Sequence, residues 1–208
     1  MVPSRDRRQV DCYLLIGGRS TRMGAAKEDV RLGGKTFLER IRSAAADVFD
    51  EVIAVQRARG PLVEGMKTIR EQEHERSGAI FGLECALTAA AGAKLWLLAT
   101  DYPLVTAALL RDLRDRFEAS GAAALVPWWG GHPQPLCAGY AGAAMPAVLA
   151  AIRSSQLRVR SLVEALDVEH VLEGELRTQH GGEPLLNVND PETLALARRL
   201  DEKAHPSR

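Results

Sequence analysis

Apolar runs and amphipathic stretches alternate along the chain at the two periods that separate strands from helices. Val10 to Ile16 reads as a short apolar strand, and it passes directly into a polar, glycine-containing stretch, Gly17 to Lys27. Helical spacing follows at Phe37, Leu38, Ile41, Ala44 and Ala45, with Thr36 as N-cap and Glu39 three residues on, the signature of a capping box. Val52–Val55 and Lys67–Ile69 read as a second and a third strand, and Gly78–Ala91 as a helix of small and apolar residues. Lys94–Thr100 (KLWLLAT) is the most apolar run and suits a strand buried on both faces. Thr106–Phe117 is amphipathic, with Leu109, Leu110, Leu113 and Phe117 on one side and Arg111, Asp112, Arg114 and Asp115 on the other.

Ala122–Pro127 predicts a further strand. Trp128 to Gly142, rich in glycine and proline, breaks the rhythm and predicts a loop or hairpin reaching over the sheet edge. Helices near Met145–Arg153 and Ser161–Leu166, a strand near Val168–Leu172 and a last helix from Pro191 to about Leu200 complete the pattern. Strands alternating with helices predict an α/β fold of three layers, a mainly parallel Rossmann-like sheet with helices on both faces. The expected organisation is one domain over 1–208, with 1–9 and 203–208 frayed.

Composition removes several function classes. Hydrophobic residues make up 46% and charged residues 26% of 208, ordinary for a folded chain, and 27 Lys+Arg against 27 Asp+Glu give a formal charge of zero. No global field favours nucleic acid or an anionic membrane, so an anion must be captured locally. No apolar run approaches the roughly 18 residues of a membrane span or the core of a signal peptide, so the expected location is the cytoplasm, with neither nucleic acid nor membrane as partner. Cys12, Cys85 and Cys137 form no CxxC pair and are expected as buried, reduced thiols, Cys137 included despite His132 five residues away. His74, His132, His170, His180 and His205 lack the spacing of a histidine metal site.

The chemistry concentrates at the end of the first strand. In a parallel α/β sheet ligands bind outside the carboxyl ends of the strands, where Gly17–Lys27 (GGRSTRMGAAK) falls if that strand is central. Paired glycines permit a tight turn that exposes backbone N–H groups, and Arg19, Arg22 and Lys27 add positive charge, a combination suited to phosphate. An ordinary Gly-Gly turn with solvated arginines is the alternative. The spacing of Gly17, Gly18 and Gly24 is not that of a dinucleotide-binding fingerprint, and Gly34-Lys35-Thr36 fails as a P-loop because Asp29 stands where glycine is required. Asp101 follows the buried strand and precedes Pro103, on the same rim. A carboxylate facing a triphosphate needs a cation between them, and Mg²⁺ typically takes one or two carboxylates together with phosphate oxygens. Asp101 as a helix cap is the alternative, with Thr106 the nearer cap.

Leu15-Ile16-Gly17-Gly18-Arg19-Ser20-Thr21-Arg22-Met23-Gly24, then Lys27, then Leu32-Gly33-Gly34-Lys35-Thr36-Phe37-Leu38, resembles the MobA-like nucleotidyltransferases, whose pattern is L-A-G-G-x-S-x-R-M-G-x-x-K with a later L-x-G-x-x-L. Thr100-Asp101-Tyr102-Pro103 is similar to the C-D-x-P segment of that family, Gln134-Pro135-Leu136 to its Q-P-L, and Asn187-Val188-Asn189-Asp190-Pro191-Glu192 to its N-x-N-T-P-E. The resemblance spans almost the whole chain and implies a fold of the nucleotide-diphospho-sugar transferase type. It implies Mg²⁺ as cofactor, GTP and molybdopterin cofactor as substrates, and transient contact with cofactor-insertion proteins. It places Arg22, Lys27 and Asp101 in catalysis, Asp101 on the metal, and Leu15, Ile16, Gly17, Gly18, Ser20, Gly24, Lys27, Glu71, Asp101, Gln134, Asn187 and Asn189 around the ligands.

The chain departs from the family pattern at three points. Ile16 replaces Ala, Glu71 stands where Asp is usual, and Gly78-Ala79-Ile80-Phe81-Gly82 loses the proline of G-P-L-A-G. The family's guanylyltransferases read L-A-G-G, like Gly17-Gly18, whereas its cytidylyltransferases tend to L-A-A-G, so GMP transfer from GTP is the expected reaction. Cytidylyl transfer, sugar-1-phosphate nucleotidyl transfer and a catalytically silent nucleotide-binding module are the alternatives. From the residues alone, Asn187 and Asn189 before a Pro-initiated helix read more readily as turn formers, and it is the resemblance that makes them site residues. Trp128, Trp129, His132 and Gln134 could stack on a flat ring system, which by analogy with the family would be the pterin, or form a buried aromatic plug.

Overall fold

The computed structural model describes residues 10–17 and 30–204. Strand β1 spans Asp11–Leu15. A two-stranded antiparallel hairpin of β2 (Arg31–Leu32) and β3 (Lys35–Thr36) leads into α1 (Phe37–Ala46), and β4 (Val52–Gln56), β5 (Thr68–Arg70), α2 (Ala79–Ala89), β6 (Leu95–Ala99) and α3 (Ala107–Ala119) follow. Strand β7 (Ala124–Trp129) turns into β8 (His132–Pro133), and β9 (Cys137–Tyr140) runs through a short 3₁₀ turn to α4 (Met145–Arg153). The chain ends with α5 (Val159–Val163), β10 (Val168–Val171), α6 (Glu173–His180) and α7 (Pro191–Ala204).

The capping box reads through into structure: Thr36 Oγ1 accepts from the Glu39 backbone N–H at 3.1 Å, and Glu39 Oε2 accepts from the Thr36 N–H at 2.6 Å. Two orphan donors at the start of α1 are thereby satisfied. Thr106 caps α3 through Leu109 N–H at 3.2 Å, which leaves Asp101 out of that role.

The main sheet has the order β10-β7-β9-β6-β1-β4-β5, with β8 paired to β7. All pairings are parallel except those of β9 and β8, so the expectation of a mainly parallel sheet holds. Alternate strand residues fill the two faces. Cys12, Leu14, Trp96, Leu98 and Leu125 pack with α1, α3 and Leu176 of α6, whereas Tyr13, Ile53, Leu95, Leu97, Val126 and Tyr140 pack with α2, α4 and α5. Helices thus cover both faces of the sheet. A smaller core joins Leu32 and Phe37 to Val188 and Ala197.

Several expectations are corrected. Trp128–Gly142 does not reach over an edge: after the Trp129–His132 turn, β9 inserts between β6 and β7, antiparallel to both. Helix α6 over Glu173–His180 was not foreseen, because only Leu176 of its eight residues is buried and no apolar stripe marks it. The last helix continues to Ala204, so 203–204 are helical rather than frayed. The expected helix at Ser161–Leu166 also starts two residues earlier, at Val159.

Cys12 and Cys137 are fully buried, and burial pushes the Cys137 thiol up to about 12. Cys85 is only half-buried, against expectation, and its thiol contacts Arg70 O at 3.2 Å. All three are free thiols. Among the described residues no helix is long and apolar enough to cross a membrane.

Candidate active site

Strands β4 and β5 follow β1 on one side of it, and β6 returns to the other side. The strand order therefore reverses between β1 and β6, the place where α/β sheets open a crevice at their carboxyl ends. An open cleft of about 120 Å³ lies there. Leu15, Ile16 and Gly17 leave β1 into it, Val55 and Arg57 come from the end of β4, Glu71 from the end of β5, and Ala99, Thr100 and Asp101 from the end of β6. Gly17 adopts a φ of +98°, a left-handed turn that glycine makes without steric cost. Gly78 and Ala79 bring the start of α2 to the cleft, with no side chain capping it. Unpaired N–H groups of a helix start carry partial positive charge, so this end of the cleft favours an anion or an acceptor-rich group.

The cleft's two carboxylates differ in surroundings. Glu71 is half-buried, and burial raises its pKa from the ordinary carboxylate value, with Arg57 opposing the shift and Glu84 adding to it. Asp101 sits in the turn after β6, and its carbonyl accepts from the Val188 N–H at 2.8 Å. That bond seats the 187–189 segment against the Asp101 turn. Beneath it lies a buried polar chain: Tyr102 donates to Gln134 Oε1 at 3.1 Å, and Gln134 Nε2 donates to the carbonyls of Trp129 at 2.8 Å and His132 at 3.2 Å. Burial raises the Tyr102 hydroxyl well above its ordinary pKa, which keeps it a donor, and Asn187 bonds the same side chain.

Residues 12–171 match the family model of the MobA-like NTP transferase domain. A probable molybdenum cofactor guanylyltransferase from Pelotomaculum thermopropionicum is 30% identical over 202 residues, covering 96% of this chain and 97% of the relative.

The chain belongs to the MobA-like NTP transferase family.

Molybdopterin-guanine dinucleotide biosynthesis protein A from Archaeoglobus fulgidus superposes on this MobA-like chain with a TM-score of 0.79 at 25% identity, covering 93% of this chain and all of that one. A 2-C-methyl-D-erythritol 4-phosphate cytidylyltransferase from Thermus thermophilus superposes with a TM-score of 0.65 at 19% identity over 93% of this chain and 99% of that one, a likeness of fold alone. These neighbours place the MobA-like sheet in the nucleotide-diphospho-sugar transferase fold.

Of the residues singled out in the MobA-like pattern, the cleft brings together Leu15, Ile16, Gly17, Glu71 and Asp101. Gly18, Ser20, Arg22, Gly24 and Lys27 lie outside the described residues, as does Arg19. Gln134 does not line the cleft: it is 4% exposed, and its amide is engaged with Tyr102 and the Trp129–His132 turn. What reaches the cleft from that segment is Leu136, whose carbonyl accepts from Ala99 N–H at 2.8 Å. Asn187 and Asn189 do not line it either; Asn189 donates to Asn187 Oδ1, and both stand behind Asp101 through the Val188 bond.

Trp129 takes the plug arrangement, whereas Trp128 is only partly buried. Trp129 is buried, donates to Glu183 Oε2 at 3.1 Å and is covered by the Arg177 guanidinium 4.3 Å from its ring. Trp128 donates to His170 Nδ1 at 2.9 Å. Both indole N–H groups are thus spent within the protein, and His132 Nδ1 lies 2.7 Å from Gly130 O.

Residue-type reasoning missed Arg57. It follows β4, whose partner is β1, so the carboxyl-end rule applied strand by strand would have found it. Among the described residues no group of three metal-ligating side chains exists. The donor set fits a cation held by a single carboxylate and completed by phosphate oxygens and water, the habit of Mg²⁺, and does not fit an all-protein cage.

Proposed function

We propose that this chain transfers GMP from GTP to the phosphate of molybdopterin cofactor, with release of pyrophosphate. A phosphate oxygen of the acceptor forms the new bond to the α-phosphorus, and the bond from that phosphorus to the oxygen bridging to the β-phosphate breaks. Because the acceptor's phosphate is already ionised near neutral pH, no protein nucleophile is needed, and catalysis reduces to positioning and charge neutralisation. The observation that carries the reading is the convergence of Gly17, Glu71 and Asp101 on one cleft at the strand-order reversal. The names of the guanylyltransferase relatives supply the acceptor.

Asp101 would hold the divalent cation, Mg²⁺ in this reading, which when bound neutralises triphosphate charge. The backbone N–H groups of residues 17–24, with Arg22 and Lys27, take the β- and γ-phosphates. Glu71 accepts from the base. Guanine offers its N1–H and N2–H₂ side by side to a carboxylate, whereas cytosine offers only its N4–H₂, so a carboxylate at this position favours GTP over CTP. The finished dinucleotide then leaves for a cofactor-insertion protein.

The test is incubation with GTP labelled at the α-phosphate, molybdopterin cofactor and Mg²⁺. Label should appear in the pterin product together with one pyrophosphate per turnover. Labelling from CTP but not GTP would move the assignment to cytidylyl transfer, and labelling from neither would sink it.

A further inference from the structure

The side chain of Arg40, 20% exposed, reaches three separate elements from α1. Its Nε donates to Pro103 O at 3.1 Å, Nη1 to Leu32 O at 3.2 Å, and Nη2 to Asp201 Oδ1 at 2.7 Å. Pro103 lies two residues after Asp101, Leu32 belongs to the hairpin into which the chain runs from residues 18–29, and Asp201 belongs to α7. The small core of Leu32, Phe37, Val188 and Ala197, with Leu104 packed against it, joins the same three elements, and Val188 is the residue whose N–H bonds Asp101 O.

The approach is built closely. Gly33 has a φ of +58°, and a Cβ there would stand 2.4 Å from Asp201 Oδ2, so the Asp201 carboxylate occupies space that only glycine leaves. Hydrogen-bond satisfaction does not demand the arrangement, because Pro103 and Arg40 line an open groove of about 690 Å³ where water could serve the carbonyl. The planar fork of a guanidinium, with five donors in fixed directions, holds three acceptors in one mutual geometry; a lysine ammonium is a point charge on a flexible stem.

We infer that Arg40 is a positioning residue of the nucleotide site: its guanidinium fixes the turn that carries Asp101 relative to the hairpin that follows the glycine-rich segment. The turn that carries Asp101 is thereby held in place against α1, the hairpin and α7, and with it the carboxylate that faces the cleft. The inference rests on the reading of Asp101 as the cation-side carboxylate. Displacements of about 1 Å in such a site can cost on the order of 100-fold in rate, so a clamp remote from the chemistry has kinetic weight.

The experiment compares Arg40→Met and Arg40→Lys with the parent chain by calorimetric titration of GTP with and without Mg²⁺, by steady-state kinetics, and by hydrogen exchange at the Val188 amide without ligand. In Arg40→Met the tightening of GTP by Mg²⁺ should fall about tenfold, metal-free binding should stay within about twofold, kcat should fall more than KM rises, and Val188 should exchange faster. Arg40→Lys, which can restore the pairing with Asp201 but not the three-way fork, should recover thermal stability and leave the Mg²⁺ effect and kcat depressed. Should Arg40→Met not fold, Arg40→Lys decides by the same quantities. Mg²⁺-linked binding and kcat equal to those of the parent, with only a lower melting temperature, would overturn the inference, as would full recovery by lysine. If the parent itself binds no nucleoside triphosphate more tightly with Mg²⁺, the functional reading fails, and Val188 exchange still decides the clamp: protection unchanged in Arg40→Met overturns it, and protection lost upholds it.

Discussion

Two carboxylates face one cleft, and their surroundings give them separable tests. Asp101→Asn keeps the shape of the side chain but removes the charge that a divalent cation needs. Mg²⁺-dependent pyrophosphate release should fall by about 100-fold or more, as when a preorganised electrostatic partner is deleted elsewhere, with the melting temperature nearly unchanged. Retention of full Mg²⁺-dependent turnover would remove Asp101 from its role. Glu71 is read through pH. Burial raises its folded pKa above the unfolded value, so its contribution is most favourable below the unfolded pKa and is lost as pH rises through the folded one. Glu71→Gln should therefore gain melting temperature over the parent at neutral pH and lose that gain toward about pH 4, while its KM for GTP rises. A difference independent of pH would show that ionised Glu71 costs the fold nothing. Asp101 was legible as a residue because it closes the most apolar run before Pro103, and Glu71 was reached only through the family pattern. Gln56 and Arg57 were not legible. Gln56 is a buried polar residue whose Oε1 would lie 3.1 Å from a Cβ at Gly17, a proximity that exists only once β4 pairs with β1.

Elements whose signals are local were read correctly, and those decided by tertiary contact were not. The start of α1 is the clearest local case, since Thr36 and Glu39 satisfy each other within four residues. Thr36→Ala should cost about 1 kcal/mol in urea unfolding. The backbone N–H of Thr36 lowers the pKa of Glu39, so the reciprocal half of this cap is present above the carboxylate range and lost as pH falls through the lowered pKa. The cost of Glu39→Ala should shrink accordingly in acid, and a constant cost would deny the reciprocity. Strand β9 is the opposite case. Its four residues carry Gly139, which reads as a turn in sequence, yet a Cβ there would meet the Phe117 ring at 2.4 Å. The glycine marks a close approach between strand and helix rather than a break. Gly139→Ala should destabilise by about 1–3 kcal/mol through overpacking, and an unchanged urea midpoint would contradict that reading of the strand. Helix α6 escaped because it is anchored by the single buried Leu176, which makes no hydrophobic period, while its exposed side carries the ion pairs of Arg177 with Glu173 and Glu183 and of Arg116 with Glu175.

At the scale of the molecule, zero formal charge and a mainly parallel sheet together locate where binding energy must come from. No net field draws a triphosphate toward the surface, so capture depends on the donors and the cation gathered where the strand order reverses. Binding confined to the native state then appears as stability of the entire fold. At a free MgGTP concentration of about 100 Kd the gain is about 2.7 kcal/mol, equivalent to roughly 5–10 °C in melting temperature for a chain of this size. GTP with Mg²⁺ should give the largest shift among GTP, CTP, ATP and UTP at equal concentration, because the base reaches Glu71 while the triphosphate is common to all four. Omitting Mg²⁺, or Asp101→Asn with Mg²⁺ present, should reduce the four shifts by the same amount, since the cation meets only the part they share. A shift that stays specific for GTP but ignores both Mg²⁺ and Asp101 would separate base recognition from phosphate capture and leave the cleft a nucleoside site without the transfer chemistry.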